Sequence, residues 1–233
     1  MKLPSVLIFT PIYDKKDYCL KEFIEWNKKL TYPNKRHIFI DNSENLNYVN
    51  KLRRLGLEAY HVDRGGSSRE GLARSQNFAR KICLDGGYDY LFSLESDIFC
   101  PPNIIEKLMY HQLNIVTGLY MLGDRALEQR VPCITIDEKT DKGTMGSRLL
   151  HPEEYMDYFQ KGLKVVAAGG MGCCLMYRKV LENTGFTYVP GHRGHSDVFF
   201  FMEQRRRHRQ IICVDTDAFC DHKNSNWNEV RDR

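Results

Sequence analysis

Short apolar runs alternate with amphipathic segments along roughly the first 120 residues of the chain. Residues 5–10 (SVLIFT), 37–40 (HIFI) and 90–94 (YLFSL) have the length and continuous hydrophobicity of buried strands. Residues 17–30 instead place apolar side chains on one helical face, at 20, 23, 24, 26 and 30. Strands that alternate with helices in this way predict an α/β fold, with a mostly parallel central sheet flanked by helices.

The same patterns predict the remaining elements. Further strands are expected at 58–62, 115–120, 165–168 and 211–214. Further helices are expected at 47–55, 69–84 and 178–183, and near 101–102, where two prolines suit a first helical turn. Residues 123–148 are polar, with scattered charges and glycines, and we expect a mobile loop or lid there.

Length and composition indicate one globular domain over residues 1–233, because 42% of the side chains are hydrophobic. No apolar run approaches the roughly 20 residues that span a bilayer. The opening segment lacks the longer apolar region of a secretory signal, so we interpret it as the first strand. Eight cysteines without a C-x-x-C pair favour reduced thiols and a cytoplasmic protein. The net charge of +4 suits anionic ligands without demanding nucleic acid.

Polar clusters follow four predicted strands, at 10–13 (TPIY), 41–43 (DNS), 95–97 (ESD) and 221–222 (DH). Open parallel sheets bind ligands beyond the carboxyl ends of their strands, so these clusters are candidates for one site. Neither a G-x-G-x-x-G motif after the first strand nor a P-loop motif occurs. The sequence therefore predicts a ligand cleft without the signature of a dinucleotide or P-loop site.

Two of these clusters are candidates for a metal site. Glu95 and Asp97 could converge on a hard cation that holds a diphosphate, although such a pair also occurs at loop starts and helix N-termini. His222 could add a neutral imidazole, although a single histidine is more often structural. A shell of carboxylate, imidazole and phosphate suits Mn²⁺ or Mg²⁺.

The second half of the chain contains two further candidate segments. Asp197 follows Gly194-His195-Ser196 and could accept a proton from an incoming hydroxyl, or could simply cap a helix. The turn Gly169-Gly170-Met171-Gly172 could let backbone approach a ligand, or could be a plain tight turn.

A basic run, RRRHR, occupies residues 205–209. Such runs usually form a solvated helix face, and contact with a phosphate-bearing acceptor such as DNA or RNA is the sharper alternative. The aromatic triplet at 199–201 beside it is better explained by core packing than by base stacking.

Taken together, these segments resemble the GT-A glycosyltransferase fold, closest in style to family 2 glycosyltransferase-like proteins. The similarity covers most of the chain and is weakest at 123–162. It implies a nucleotide-sugar half (1–120) and an acceptor-side half (121–233) with a mobile loop near 123–148. The helix GLARSQNFARKIC resembles the family's A-R-N-x-G-x-x-x-A helix, with Ser75-Gln76-Asn77 in place of Asn-x-Gly.

The resemblance assigns roles to individual residues. DYLFSLESDIFCPPNIIEKL resembles the strand, D-x-D motif and following helix, and DAFCDHKN resembles the C-terminal metal-binding region. Asp97 and His222 would then bind Mn²⁺ or Mg²⁺, and Asp197, preceded by Ser196 instead of an acid, would be the catalytic base. Residues that would contact the donor nucleotide are Thr10, Pro11, Tyr13, Asp41, Arg74, Glu95 and Ser96. Residues that would lie on the acceptor side are Gly170, Met171, Gly172 and His195.

The activity implied is metal-dependent transfer of a sugar from a nucleoside-diphosphate sugar, with UDP favoured, to an acceptor hydroxyl. The acceptor would be a carbohydrate, a glycolipid or modified nucleic acid. Asp197 would give inversion as the base, or in a retaining enzyme would instead orient the acceptor. Alternatives are a phage-type transferase acting on a hydroxylated DNA base, and a non-catalytic protein that binds nucleic acid through 205–209 or binds sugar. A nucleotidyltransferase is disfavoured because TPIYDKKD stands where its Gly-rich basic loop would be.

Overall fold

The computed structural model describes residues 3–124, 129–139, 145–192 and 194–223. The strands are β1 (Val6–Ile12), β2 (Lys35–Asp41), β3 (Ala59–His61), β4 (Tyr90–Leu94), β5 (Ile98–Phe99), β6 (Ile115–Leu119), β7 (Met121–Asp124), β8 (Gln129–Pro132), β9 (Thr135–Lys139), β10 (Met145–Leu149), β11 (Leu163–Val166), β12 (Cys173–Tyr177), β13 (Ile212–Phe219) and β14 (Asp221–His222). The helices are α1 (Asp17–Asn27), α2 (Asn47–Arg54), α3 (Ser68–Asp85), α4 (Ile104–Tyr110), α5 (Arg178–Glu182) and α6 (Ser196–Arg206), with 3-10 helices at Asp14–Lys16 and Pro152–Asp157.

An eight-stranded sheet forms the centre of the fold, in the order β11-β13-β6-β12-β4-β1-β2-β3. β1 pairs in parallel with β2 and β4, β2 with β3, and β13 with β6. β12 is antiparallel to both β4 and β6, and β11 is antiparallel to β13. The predicted α/β class, with a mostly parallel sheet and flanking helices, is confirmed.

Hydrophobic side chains bury the central sheet on both faces. Alternate residues of β1 enter different clusters, because Val6 and Ile8 pack on one face while Leu7 and Phe9 pack on the other. Strands covered on both sides are apolar at successive positions instead of at every second one. This double burial explains why the strand runs are continuous in the sequence.

Residues 123–148 differ from the expected loop. The described part of this segment forms two antiparallel hairpins, β7 with β8 and β9 with β10. Most of β9 and β10 faces solvent, so neither strand carries a buried apolar stripe that would reveal it in the sequence. Residues 125–128 and 140–144 lie outside the described residues, and the mobility of this segment stays a prediction.

Two further differences concern the strands near the proposed cleft. β12 was not among the predicted strands, although its sequence CCLMY is continuously apolar like the other buried strands. β13 extends to Phe219, five residues beyond the predicted end at Val214. Within the described ranges, no helix is both long enough and apolar enough to cross a membrane.

Candidate functional site

Asp97 and His222 lie side by side although 125 residues separate them in the chain. The two-residue strands β5 and β14 pair antiparallel, with His222 opposite Ile98, directly after Asp97. The Lys223 amide also donates to the Asp97 carbonyl oxygen at 2.8 Å. As a result, His222 Nε2 lies 3.3 Å from Asp97 Oδ2, and both side chains are at least 95% buried.

The orientation of His222 is held by a second contact. Its Nδ1 lies 2.7 Å from the Met121 carbonyl oxygen, which accepts only from a protonated nitrogen. In the neutral ring, the lone pair is therefore on Nε2, the atom that faces Asp97. Burial opposes the charged ring, but the hydrogen bond and the negative charge of Asp97 outweigh it and raise the pKa of His222.

Lys16 is a third member of this group. It follows β1 in the 3-10 helix, and its ammonium group forms an ion pair with Asp97 Oδ2. The Tyr18 hydroxyl lies 3.5 Å from the same oxygen. Burial disfavours the Asp97 charge, yet Lys16 and His222 more than compensate and hold the pKa of Asp97 below its usual range.

Lys16 was missed at the sequence level. Its only signal is a position shortly after the first strand, in DKKD, a segment that sequence analysis used only to disfavour a nucleotidyltransferase. Spacing cannot reveal its partner, because 81 residues separate it from Asp97.

Asp97 has one oxygen available for a further ligand. Oδ1 is buried and has no hydrogen-bond partner in the described part of the chain, whereas Oδ2 is shared by Lys16, Tyr18 and His222. A carboxylate oxygen and an imidazole nitrogen are both ligands that a divalent cation such as Mn²⁺ accepts, so Oδ1 and His222 Nε2 could hold one. Among the described residues, no group of three His, Cys, Asp or Glu side chains could hold a metal, so diphosphate or water would complete the shell.

Glu95 and Ser96 lie next to this centre. Burial raises the pKa of Glu95 to about 7, and the nearby charge of Asp97 adds to the effect. The Ser96 hydroxyl is buried and unpartnered within the described structure. The Glu95 amide donates to the Gly172 carbonyl oxygen at 2.9 Å, which connects this segment to the glycine turn.

The backbone of the glycine turn, residues 169–172, lies close against the side chain of Tyr120. A Cβ at Gly170 would overlap the Tyr120 ring and hydroxyl, and the Gly172 amide donates to the Tyr120 hydroxyl at 3.1 Å. Met171 is 3% exposed and packs in the core. Glycine is therefore needed here to accommodate Tyr120, and the Met171 side chain is buried in the core instead of facing solvent.

Asp197 lies at the start of α6, next to exposed His195. Burial raises the pKa of the Asp197 carboxyl, while the charge of His195 opposes the shift. Asp197 is close enough to Glu95 for its charge to raise the pKa of that residue. One Asp197 oxygen accepts from the Val198 amide at 2.8 Å, a local contact at the helix start that leaves the second oxygen for other partners.

The predicted donor-side residues divide into two groups. Tyr13 follows β1 and stacks against the Arg64 guanidinium at 5.1 Å. Asp41 ends β2 and is fully buried, where it accepts from the Ser43 amide and hydroxyl at 2.9 and 2.5 Å. Its other oxygen lies 3.2 Å from His61 Nδ1.

The second group consists of residues that lie within a strand or helix instead of at a strand end. Thr10 lies inside β1, fully buried, with its hydroxyl 2.8 Å from His37 Nε2, and Pro11 is also within the strand. The strand continues to Ile12, so Thr10 precedes the mouth instead of lining it. Arg74 pairs with Asp63 and, at 2.6 Å, with Glu70.

The basic run is partly neutralised. Arg205 forms a bidentate ion pair with Asp137 of β9. Arg207 Nη1 lies 3.2 Å from Glu203 Oε1, one helical turn earlier. Phe200 and Phe201 are buried in the core, as expected for packing. These contacts explain much of the run as surface pairing of α6.

Comparisons with known proteins identify the fold. No family model matches the chain, and no curated protein matches its sequence. The chain is similar to the crystal structure of GalNAc-T7 with UDP, GalNAc and Mn²⁺, with a TM-score of 0.63 and 13% identity, over 94% of this chain and 44% of that one. It also matches A197 from STIV at a TM-score of 0.48 and 14% identity, over 95% of each chain.

The similarity to GalNAc-T7 shows that this chain has a GT-A-like fold. The chain spans less than half the length of the GalNAc-T7 chain and is 13% identical to it, so the comparison shows a similar fold and no more. The resemblance to family 2 in particular stays a prediction.

We expect Gly170→Ala to lower the free energy of unfolding by about 1–3 kcal/mol, because the added methyl group must displace the buried Tyr120 ring. Urea unfolding followed by circular dichroism measures the change. Gly66→Ala is the matched control, since its nearest neighbour would be 3.7 Å away, in ordinary contact. Equal stability of the two variants would contradict the packing role of the turn.

Proposed function

We propose that the protein is a metal-dependent glycosyltransferase that moves a sugar from a nucleoside-diphosphate sugar to an acceptor hydroxyl. The observation that carries the proposal is the meeting of Asp97 and His222 beside an available carboxylate oxygen, in a GT-A-like fold. A UDP-sugar is the favoured donor, because GalNAc-T7, which shares the fold, binds UDP.

Asp97 and His222 would hold Mn²⁺ or Mg²⁺. When bound, such an ion supplies positive charge to the leaving diphosphate. Asp97 contributes a carboxylate that stays ionised, since the pKa of that group is held low. His222 contributes Nε2, which the Met121 carbonyl keeps directed at Asp97.

The donor nucleotide would lie beyond the ends of β1, β2 and β3. Tyr13 would stack on the base in exchange for its contact with the Arg64 guanidinium, and Asp41, which is fully buried, would act on the nucleoside through the loop that it braces at Ser43. Arg74 would approach the phosphates by exchanging Asp63, which is 81% exposed, for the ligand. Glu95 and the unpartnered Ser96 hydroxyl would contact the ribose or sugar.

Asp197 would act as the base. A carboxylate with a raised pKa accepts a proton more readily, which suits abstraction from the acceptor hydroxyl as it attacks the anomeric carbon. Attack from the face opposite the leaving diphosphate gives inversion. His195 and the backbone of Gly170 and Gly172 would border the acceptor.

Binding of nucleic acid through residues 205–209 is less well supported. Arg205 and Arg207 already have carboxylate partners, so fewer positive charges remain for phosphates. A transferase acting on a modified DNA base depends on the same residues and is not favoured.

Asp97→Ala should abolish the Mn²⁺-dependent part of UDP binding, because it removes the carboxylate ligand. Titration calorimetry with UDP, with and without Mn²⁺, measures the effect. Asp221→Ala, an exposed carboxylate one residue before His222, should behave like wild type. Unaltered Mn²⁺ dependence in Asp97→Ala would remove the metal assignment.

Asp197→Asn should leave UDP binding intact and reduce sugar transfer by about 100- to 10,000-fold, the usual contribution of a general base. Asparagine retains the shape but cannot take a proton. Release of UDP in the presence of acceptor reports turnover, and calorimetry reports binding. Turnover at the wild-type rate would show that another group is the base.

Mn²⁺ affinity in the presence of UDP should fall as the pH is lowered through the raised pKa of His222. Since that pKa lies above its ordinary value, the loss should begin at a pH above about 6.5. Only the neutral ring binds a metal, so protonation and metal binding compete. His195→Asn should show the same pH profile, whereas a flat profile in the wild type would contradict coordination by His222.

A further inference from the structure

The position of Lys16 suggests a role that goes beyond metal coordination. Its ammonium group pairs with Asp97 Oδ2, and its side chain is 21% exposed while that of Asp97 is 1% exposed. Lys16 lies three residues after Tyr13, and its amide donates to the Tyr13 carbonyl oxygen at 2.9 Å, while its ammonium group contacts Asp97. It therefore connects the residue proposed to contact the base with a proposed metal ligand.

A positive charge is required at this place when no metal is bound. A buried carboxylate is costly unless it is paired, and Asp97 lies beside a second carboxyl group, Glu95. Lys16 is the permanent cation in contact with Asp97, since His222 is charged only when protonated. The ammonium group thus performs, in the metal-free protein, the charge compensation that a divalent ion would perform.

The ammonium group and a divalent ion cannot share this carboxylate without strong repulsion. Positive charges a few ångströms apart repel, most strongly where water is excluded. A metal held by Asp97 and His222 Nε2 would lie beside the oxygen that Lys16 occupies. Entry of the metal therefore favours departure of Lys16 from Asp97.

A nucleoside diphosphate would resolve this conflict, because its oxygens provide acceptors for a displaced ammonium group and ligands for the metal. Resting on the proposed function, we propose that Lys16 is a tethered counter-ion that competes with the divalent cation for Asp97, so that cation and nucleoside diphosphate bind together. The competition makes each ligand increase the affinity for the other.

Lys16→Met tests this coupling, because methionine keeps an unbranched stem and removes the charge. Mn²⁺ binding, measured by electron paramagnetic resonance with and without UDP, is the readout. Without UDP, Lys16→Met should bind Mn²⁺ about tenfold more tightly than wild type, a change typical of coupled sites. The gain in Mn²⁺ affinity that UDP produces should be smaller in the variant than in the wild type.

Two further variants make the result specific. Lys16→Gln removes the charge but keeps a hydrogen-bond donor, so it should show the same tightening even if methionine disturbs folding. Lys15→Met removes a neighbouring exposed lysine and should bind Mn²⁺ as the wild type does. Thermal unfolding in the absence of metal verifies that each variant is folded.

The outcomes separate the two proposals. Mn²⁺ affinity without UDP that is unchanged or weaker in both Lys16 variants would overturn the competition, even where the wild type binds Mn²⁺ with UDP. If neither the wild type nor any folded variant binds Mn²⁺, with or without UDP, the metal site itself is overturned and the competition with it.

Discussion

A buried carboxylate that must be paired with positive charge is the constraint on which the proposed site depends. Asp97 is 1% exposed, and its neighbours are arranged to keep it ionised. Two distant parts of the chain meet this requirement, since β1 leads into Lys16 and β14 ends at His222. The short β5–β14 pairing is thus small in area but decisive for the proposed site, because it brings Asp97 and His222 to a separation of 3.3 Å.

The second half of the chain, which is proposed to face the acceptor, is connected to this centre through backbone as well as side chains. β12 inserts antiparallel between β4 and β6, so the glycine turn that precedes it arrives next to the residues that follow β4. The Gly172 carbonyl accepts from the Glu95 amide, and the Gly172 amide donates to Tyr120. A change in the position of Tyr120 would therefore move the backbone on both sides of the proposed cleft.

The first half of the chain, which is proposed to bind the donor, shows a different arrangement, in which polar side chains brace loops. Asp41 holds Ser43 and approaches His61, and Arg74 holds Asp63 and Glu70. A residue that is already fixed loses less conformational entropy on binding, so such bracing favours affinity. Exposed pairs such as Arg74 with Asp63 contribute little to stability, so the proposed exchange of Asp63 for a phosphate would cost little.

The sequence by itself determined the alternation of strands and helices, the α/β class and the polar clusters that follow β2 and β4. These features are local, because a doubly buried strand is apolar throughout and a helix repeats its apolar face every three to four residues. Asp97, His222 and Asp197 were selected in the same way, from their positions after strands or at a helix start.

Only the tertiary structure decided which of those residues meet. It brought Lys16 to Asp97 across 81 residues, turned Thr10 and Met171 into the core, formed hairpins within 123–148, and fitted the glycine turn around Tyr120. None of these has a local signature, because a side chain's partner depends on sheet order and strand register. Those in turn follow from the burial of all strands together, which no single segment encodes.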